Sequence, residues 1–530
     1  MSEAADTATL PASIGGNQNL ANLLVSAAAD QPGSCALVYD GIEISYAELD
    51  RRSRAAAAYL QELGVGAGDH VGIQIPNCPA FAALYFGILS LGATVVPQNP
   101  LSGVTELNQN MADAGAKLVL AQPLSGDVPS GLEHGAEVVH VASDDGLDLF
   151  GGHVPIASVA DVAADTTAVI LYTSGTTGRA KGAELTHANL TLNAAAAIEI
   201  YSLVPGDVIL GVLPLYHSYG QTCTLNGAIA VRARVVLAKR FEAGAIAELI
   251  DRHSVSVFLG VPTMFSDFAQ LPPEAGSLRS LRLCGAGGAT LPPEIRRQFE
   301  ARSGAPLFET YGLSETSPIA SINRHDEGRR VGTIGWPIAG TEMKIVASDG
   351  GTAPVGEIGE IAIRGHNIMK GYWRNPDATR DAIDADGWFF SGDLGTVDAQ
   401  GCFSVVGRLK DVIIRGGANV YPAEIEHLLD THPAVRLAAV VGVPDTRLGE
   451  EIGAAVMLRQ GAELTPAQLR DWARERLSPQ KYPRHVWIVE QLPLGPTGKV
   501  LKRLITAPDE VLGAATSRNT PHQARGERKP

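Results

Sequence analysis

The stretch Tyr172-Thr-Ser-Gly-Thr-Thr-Gly-Arg-Ala-Lys-Gly182 decides how this chain reads. It follows a β-branched apolar run, Ala168-Val-Ile-Leu171, and precedes a segment from Thr186 to Ile200 whose pattern predicts a helix opened by a threonine cap. Strand, glycine-rich loop and helix in that order suit a phosphate cradle. Gly175, Gly178 and Gly182 let backbone N–H groups turn toward an anion. Thr173, Ser174, Thr176 and Thr177 add hydroxyl donors, and Lys181 supplies a point charge for phosphoryl oxygens. Polyphosphate is the ligand this chemistry fits. Spacing excludes a P-loop, because the residue after Lys181 is Gly182, not the Ser or Thr that would hold magnesium.

The 530 residues are too many for one core and suggest roughly three or four structural units. Hydrophobic content of 45% and charged content of 19% are ordinary for a globular chain. A net charge of −15 argues against nucleic acid as a partner, since backbone phosphates are bound by Lys and Arg clusters that do not occur here. Cys35, Cys78, Cys223, Cys284 and Cys402 are scattered singly, which fits small buried hydrophobes in a reducing cytoplasm. The first 17 residues have neither the basic nor the apolar region of a signal peptide. The apolar stretch Phe81 to Val96 is interrupted by Gly87, Ser90, Gly92 and Thr94 and falls short of a membrane span, so it is read as a buried helix running into a strand.

From about Asn19 the chain alternates helical patches, Leu49 to Leu63 and Pro79 to Leu91, with β-rich runs such as His70 to Ile75 and Lys117 to Leu120. That rhythm predicts an α/β fold with a largely parallel sheet. It continues through Val208 to Leu213, Arg234 to Leu237, Val255 to Leu259 and Leu281 to Cys284. Short strands and glycine-rich turns then predict a β-rich subdomain over about 332–408. After Asp411 the pattern resets to α+β. The expected division is a disordered N-terminus at 1–18, a large domain at 19–408, a small mobile C-terminal domain at 409–513, and a disordered tail at 514–530.

Six further motifs accompany the loop in a fixed order. They are Pro214-Leu-Tyr-His-Ser-Tyr-Gly220, Gly287-Gly-Ala289, Tyr311-Gly-Leu-Ser-Glu-Thr316, Ser391-Gly-Asp-Leu-Gly395, Gly407-Arg-Leu-Lys-Asp411 and Pro496-Thr-Gly-Lys-Val500. Together, over about residues 20–505, they resemble the signature of the acyl-adenylating superfamily of acyl-CoA synthetases, adenylation domains and luciferases. The wording is most similar to bacterial fatty-acid or aryl acid CoA ligases. The resemblance implies that a carboxylate is joined to the α-phosphate of ATP with loss of pyrophosphate, and that a thiol, CoA, then takes the acyl group.

Residue by residue, the resemblance implies the following roles. Glu315 ligates Mg²⁺ on the phosphates, as hard oxygen ligation suits. Tyr311 packs on adenine while Gly288, Ala289 and Gly312 line the purine side. Asp393, in a tight turn between glycines, accepts from the ribose hydroxyls, and Arg408 donates to the same sugar. Lys499 stabilises charge at the α-phosphate and carboxylate from the small domain, so closure about a hinge at Lys410 is required. Gly416 and Gly417 permit a pantetheine arm to approach. His217 gates or positions at the mouth of the acyl pocket, with Ser218, Val261, Thr263, Gly287 and Gly312 around it. Departures from the pattern, Ala180 for proline, Ser391 for threonine and Lys410 for the aspartate of some branches, remove no group the reaction needs.

The segments expected to form that pocket carry no ionisable side chain besides His217 and Glu315. An ammonium-bearing acid needs a buried carboxylate partner, so the acid is expected to be apolar, aliphatic or aryl. Its chain length is not legible. The acceptor alternatives are a carrier-protein thiol, an amine, or nitrite chemistry, with a non-catalytic ATP-binding relative as the rival from another class. The expected setting is cytoplasmic, and a homodimer is left open.

Overall fold

The computed structural model describes residues 18–122, 131–173, 180–272, 275–323, 328–494 and 500–511. The chain divides into two compact units, one of Met1–Lys344, Ala362–Ser391 and Asp398–Ser404, the other of Ile345–Ile361, Gly392–Val397 and Val405–Pro530. Among the described residues no helix is long and apolar enough to cross a membrane.

Two twisted sheets build the first unit. The seven-stranded sheet runs in the spatial order Gly371–Tyr372, Lys181–Thr186, Thr167–Thr173, Thr94–Pro97, His70–Gln74, Leu118–Ala121 and Glu137–His140. Its strands from Thr167–Thr173 to Glu137–His140 are parallel, and Lys181–Thr186 and Gly371–Tyr372 are added antiparallel at one edge. The nine-stranded sheet has a parallel centre, Leu307–Gly312, Leu283–Ala286, Val257–Gly260, Val208–Gly211, Arg234–Leu237 and Cys35–Tyr39, closed at both edges by antiparallel strands. Their continuous Val, Ile and Leu runs are what a sheet covered on both faces requires.

The stretch from Phe81 to Val96 is the helix Pro79–Ser90, buried at every position, followed by the buried strand Thr94–Pro97. A helix apolar all round belongs inside a core. Beneath the second sheet Phe258, Phe265, Phe268 and Phe299 pack ring against ring, with centroids 4.9–6.1 Å apart. Truncating any one of them to alanine is expected to cost about 3–5 kcal/mol, because neighbouring rings cannot collapse into the space.

The glycine-rich loop does not lead straight into a helix: Lys181–Thr186 is a strand that pairs back on Thr167–Thr173, with Thr173 opposite Lys181. Helix His187–Ile200 begins only after it, capped as expected by Thr186 in a reciprocal pair of hydrogen bonds with Asn189. A hairpin therefore flanks the loop, and the helix N-terminus sits a full strand away from it. The half-buried positions of the strand Lys181–Thr186, Lys181 and Glu184, are three apart, so no period-two pattern marks it in sequence.

Four further strands, in the order Thr341–Val346, Gly359–Gly365, Phe389–Val397 and Phe403–Arg408, are shared out between the two units. The second unit is otherwise α+β. Val435–Asp445 and Gly449–Leu458 form its long antiparallel ribbon, and Ile413–Arg415, itself paired with Ala418–Val420, and His485–Ile488 both join the Gly449–Leu458 strand. Helices Pro422–Asp430 and Pro466–Arg474 bury Ile425, Leu429, Leu469 and Ala473 against Ile413, Val440 and Ile452. Thr465 and Gln468 cap the second of these helices reciprocally.

Candidate active site

The site is built outward from the hairpin. Ser174, Gly175, Thr176, Thr177 and Gly178 lie outside the described residues, as does Lys499. The two ends of the loop are described. Thr173 Oγ1 lies 3.4 Å from the Lys181 carbonyl and 3.4 Å from Glu315 Oε1, so the hydroxyl faces the carboxylate expected to hold metal. The Lys181 ammonium stands 5.1 Å from the centroid of the Tyr372 ring.

Glu315 sits on the single helical turn Ser314–Thr316 that follows the strand Leu307–Gly312. Chain geometry there is tightly set. A Cβ at Gly312 would lie 1.7 Å from the Pro318 carbonyl, and Thr316 Oγ1 accepts from Leu313 N–H at 2.8 Å while donating to the Pro318 carbonyl at 2.6 Å. The Glu315 side chain is buried, at 8% exposure. Its Oε1 accepts from the Tyr372 hydroxyl at 2.9 Å as well as facing Thr173, and no cation pairs with it among the described residues. Burial first, and the neighbouring carboxylate second, push the Tyr372 hydroxyl pKa far up, so it stays a donor.

A buried carboxylate whose described partners are hydroxyls is a fitting ligand for Mg²⁺ carried in on phosphate. That ion keeps much of its own water and needs only one or two protein carboxylates.

His217, half-buried, begins the turn that leads into the helical segment Gly220–Asn226, which is wound as a π-helix. Burial lowers its pKa to about 4, so the ring is neutral at pH 7. Nδ1 accepts from the Tyr219 N–H at 3.2 Å, which assigns the remaining proton to Nε2. A neutral donor at this position can orient a carboxylate or thioester oxygen without adding a charge. Ser218 is fully buried and its hydroxyl has no partner among the described residues. The Tyr219 hydroxyl meets that of Tyr201 at 3.1 Å, and Tyr201 reaches Thr310 Oγ1 at 2.6 Å. Tyr219 also closes on Gly287, where a Cβ would lie 3.0 Å from the ring. The segment around His217 thus meets both the Gly287–Ala289 turn and the residue preceding Tyr311. Gly288 and Ala289 are exposed, Tyr311 and Gly312 half-buried, Val261 caps the helix Pro262–Gln270, and Thr263 is half-buried in its first turn.

In the second unit, Asp393 is not in a turn, as the flanking glycines suggested. It lies inside the nine-residue strand Phe389–Val397, just after Gly392, whose φ of +70° marks a left-handed irregularity within the strand. Arg408 ends the strand Phe403–Arg408 and places Nε 2.9 Å from Asp393 Oδ1. The two residues expected to share a ribose are therefore already joined. Lys410 is exposed on the turn Leu409–Asp411. Gly416 and Gly417, with φ of +58° and +85°, form the exposed two-residue tip of a hairpin, the left-handed pair that such a turn demands.

Sequence reading missed Tyr372 and Trp373. The strand Gly371–Tyr372 is two residues long and has no periodicity to detect. The available signal was an aromatic pair after a glycine in an otherwise polar stretch.

The profile of the AMP-binding enzyme family matches residues 24–373, and that of the AMP-binding enzyme C-terminal domain matches residues 424–499. A feruloyl-CoA synthase from Amycolatopsis sp is 36% identical over 492 residues, covering 92% of this chain and 98% of the relative. A long-chain-fatty-acid–CoA ligase from Bacillus subtilis is 33% identical, covering 92% and 94% respectively. The solved structure of ATP-bound MatB from Rhodopseudomonas palustris superimposes with a TM-score of 0.85 at 32% identity, covering 92% of this chain and 98% of that one. Fold and motif order define an AMP-forming acid–thiol ligase. The chain belongs to the AMP-binding enzyme family.

Proposed function

We propose that this enzyme activates an apolar or aryl carboxylic acid with ATP and hands the acyl group to the CoA thiol. In the first step a carboxylate oxygen attacks the α-phosphorus, the bond to the bridging oxygen breaks, and pyrophosphate leaves. In the second step the thiol sulfur attacks the acyl carbon, its proton is lost, and AMP departs with the C–O bond electrons. Thr173, Ser174, Gly175, Thr176, Thr177, Gly178 and Lys181 hold the leaving pyrophosphate. Glu315 holds Mg²⁺, which when bound neutralises and aligns the phosphoryl oxygens. Tyr311, Gly288, Ala289 and Gly312 take the adenine, and the Asp393–Arg408 pair takes the ribose. Lys499 counters charge in the adenylation step, Lys410 is the pivot, and Gly416 and Gly417 admit the pantetheine arm.

The observation that carries this reading is the meeting of Thr173, Glu315 and Tyr372: a buried carboxylate with hydroxyl partners and, among the described residues, no cation. A neutral His217 and the uncharged segments around it favour an apolar tail on the acid. The relatives named for feruloyl and long-chain fatty acyl groups agree with that choice, and they support a place in fatty or aryl acid metabolism.

Pyrophosphate release across a panel of aliphatic, aryl and amino acids is the test, with product masses taken with and without CoA. The expected result is release with aryl or aliphatic acids and an acyl-CoA mass that appears only with CoA. Release with amino acids alone, or a product of unchanged mass when CoA is added, would overturn the assignment.

A further inference from the structure

Residues 369–373 tie together the two parts of the phosphate site. Met369 N–H donates to the Glu315 carbonyl at 2.9 Å, Lys370 N–H to the Glu184 carbonyl at 2.9 Å, and Trp373 N–H to the Gly182 carbonyl at 2.7 Å. Tyr372 lies opposite Ala183 in the antiparallel pairing with Lys181–Thr186. Next to it the Trp373 indole N–H donates to the Asp113 carbonyl at 3.1 Å, while Asp113 Oδ2 accepts from the Tyr172 hydroxyl at 2.7 Å. The base of the loop and the segment carrying Tyr372 are thus fixed to the same helix end.

On this anchored backbone one side chain faces both groups that a metal–phosphate complex needs. The Tyr372 hydroxyl donates to Glu315 Oε1 at 2.9 Å, and its ring lies under the Lys181 ammonium at 5.1 Å, within the range of a cation–π contact. A carboxylate that must meet an incoming ion at a set angle needs its rotamer held, and the hydrogen bonds to a ligating carboxylate do that work. Thr173, at 3.4 Å, is the longer and weaker of the two donors. Nothing else described donates to Oε1.

We propose that Tyr372 is the positioning residue of the phosphate site, its hydroxyl fixing the Glu315 carboxylate in the orientation in which it receives the metal ion of MgATP. This rests on the reading of Glu315 as the metal-directed carboxylate. Tyr372 touches neither reacting atoms nor substrate in this account and acts through Glu315. The charged hydrogen bond is of the stronger kind, so its removal is expected to be felt about tenfold or more in ion-assisted binding.

The test is calorimetric titration of full-length protein with ATP, once with Mg²⁺ and once with EDTA. The readout is the ratio of the two dissociation constants. Tyr372→Phe keeps the ring and its contact with Lys181 and deletes only the hydroxyl. It is expected to leave binding in EDTA unchanged and to shrink the Mg²⁺ advantage about tenfold or more. Thiolysis of supplied acyl-adenylate by CoA should be unchanged in the same variant. An unaltered Mg²⁺ ratio overturns the proposal, as does an equal loss in both half-reactions, the mark of a general folding defect. Glu315→Gln separates the two layers. If it keeps the full Mg²⁺ advantage, the reading of Glu315 itself fails. If it loses that advantage while Tyr372→Phe keeps it, only the role of Tyr372 falls.

Discussion

Two buried carboxylates in this enzyme are satisfied in opposite ways. Asp393 has a guanidinium 2.9 Å away, so its charge is neutralised within the protein before any ligand arrives. Glu315 meets hydroxyls from Tyr372 and Thr173 and no cation among the described residues. Burying a carboxylate without a counter-charge is costly, and hydroxyl donors recover only part of that cost. The contrast teaches which site is finished and which is waiting. A finished pair can orient a neutral partner such as a sugar hydroxyl, whereas an unneutralised carboxylate has free energy to gain from an incoming cation.

Glu315→Gln is expected to lower adenylate formation about 10³-fold while leaving thermal stability the same or slightly higher, since an uncompensated buried charge is removed. Pyrophosphate release and a melting curve on the same sample check both halves, and a large drop in melting temperature would contradict the unneutralised reading.

At Asp393 the opposite is expected. Arg408→Met removes the guanidinium beside the buried Asp393 carboxylate and should destabilise by about 1–3 kcal/mol, reduced from the fully buried case because Arg408 is a third exposed. Urea unfolding measures it. Adding Asp393→Asn to Arg408→Met should restore most of the loss, and additive losses would show that the pair is not coupled.

A third carboxylate extends the series with a smaller effect. Asp430, on the helix Pro422–Asp430, is pushed up to about 7, chiefly by burial, although its Oδ1 accepts from Ala438 N–H at 3.0 Å. Its folded-state value exceeds the ordinary aspartate value, so the folded protein holds the extra proton and this group's contribution to stability falls as pH rises from about 4 to about 7. Asp430→Asn, which keeps the acceptor, should therefore stabilise by about 1–2 kcal/mol near pH 8 and have little effect near pH 4. Equal effects at both values would show that the carboxyl titrates normally.

His187 acts with the reverse sign. Its Nδ1 accepts from Leu20 N–H at 2.9 Å, and burial lowers its pKa to about 4. The unfolded chain then binds the proton more readily, so this group's share of stability is lost as pH falls from about 6.5 to about 4. His187→Gln should flatten that part of the stability curve, as fluorescence-monitored unfolding at stepped pH would record.

Much of the fold was legible. Runs such as His70 to Ile75 and Arg234 to Leu237 fall on the strands His70–Gln74 and Arg234–Leu237, and the Thr186 cap opens its helix as read. Buried parallel strands and capped helices announce themselves through local composition. What local pattern cannot carry is pairing at a distance. The strand Lys181–Thr186 escaped because its identity rests on Thr167–Thr173 across the loop. Asp393 read as a turn because glycines flank it, while ladder partners elsewhere in the chain keep it extended. Tyr372 meets Glu315 across 57 positions of sequence, and no spacing rule links them. Glu315 itself is named by motif order, but that its described partners are hydroxyls is a property of the folded chain alone.

The most direct measurement is made without CoA. Wild-type protein is mixed with ATP, Mg²⁺ and an acid accepted in the panel, quenched after one turnover, and the bound products are weighed by mass spectrometry. Close to one acyl-adenylate and one pyrophosphate per enzyme are expected, both lost in Glu315→Gln while that variant still converts supplied acyl-adenylate and CoA to the thioester. Acyl-adenylate accumulating undiminished in Glu315→Gln would contradict the role given to Glu315.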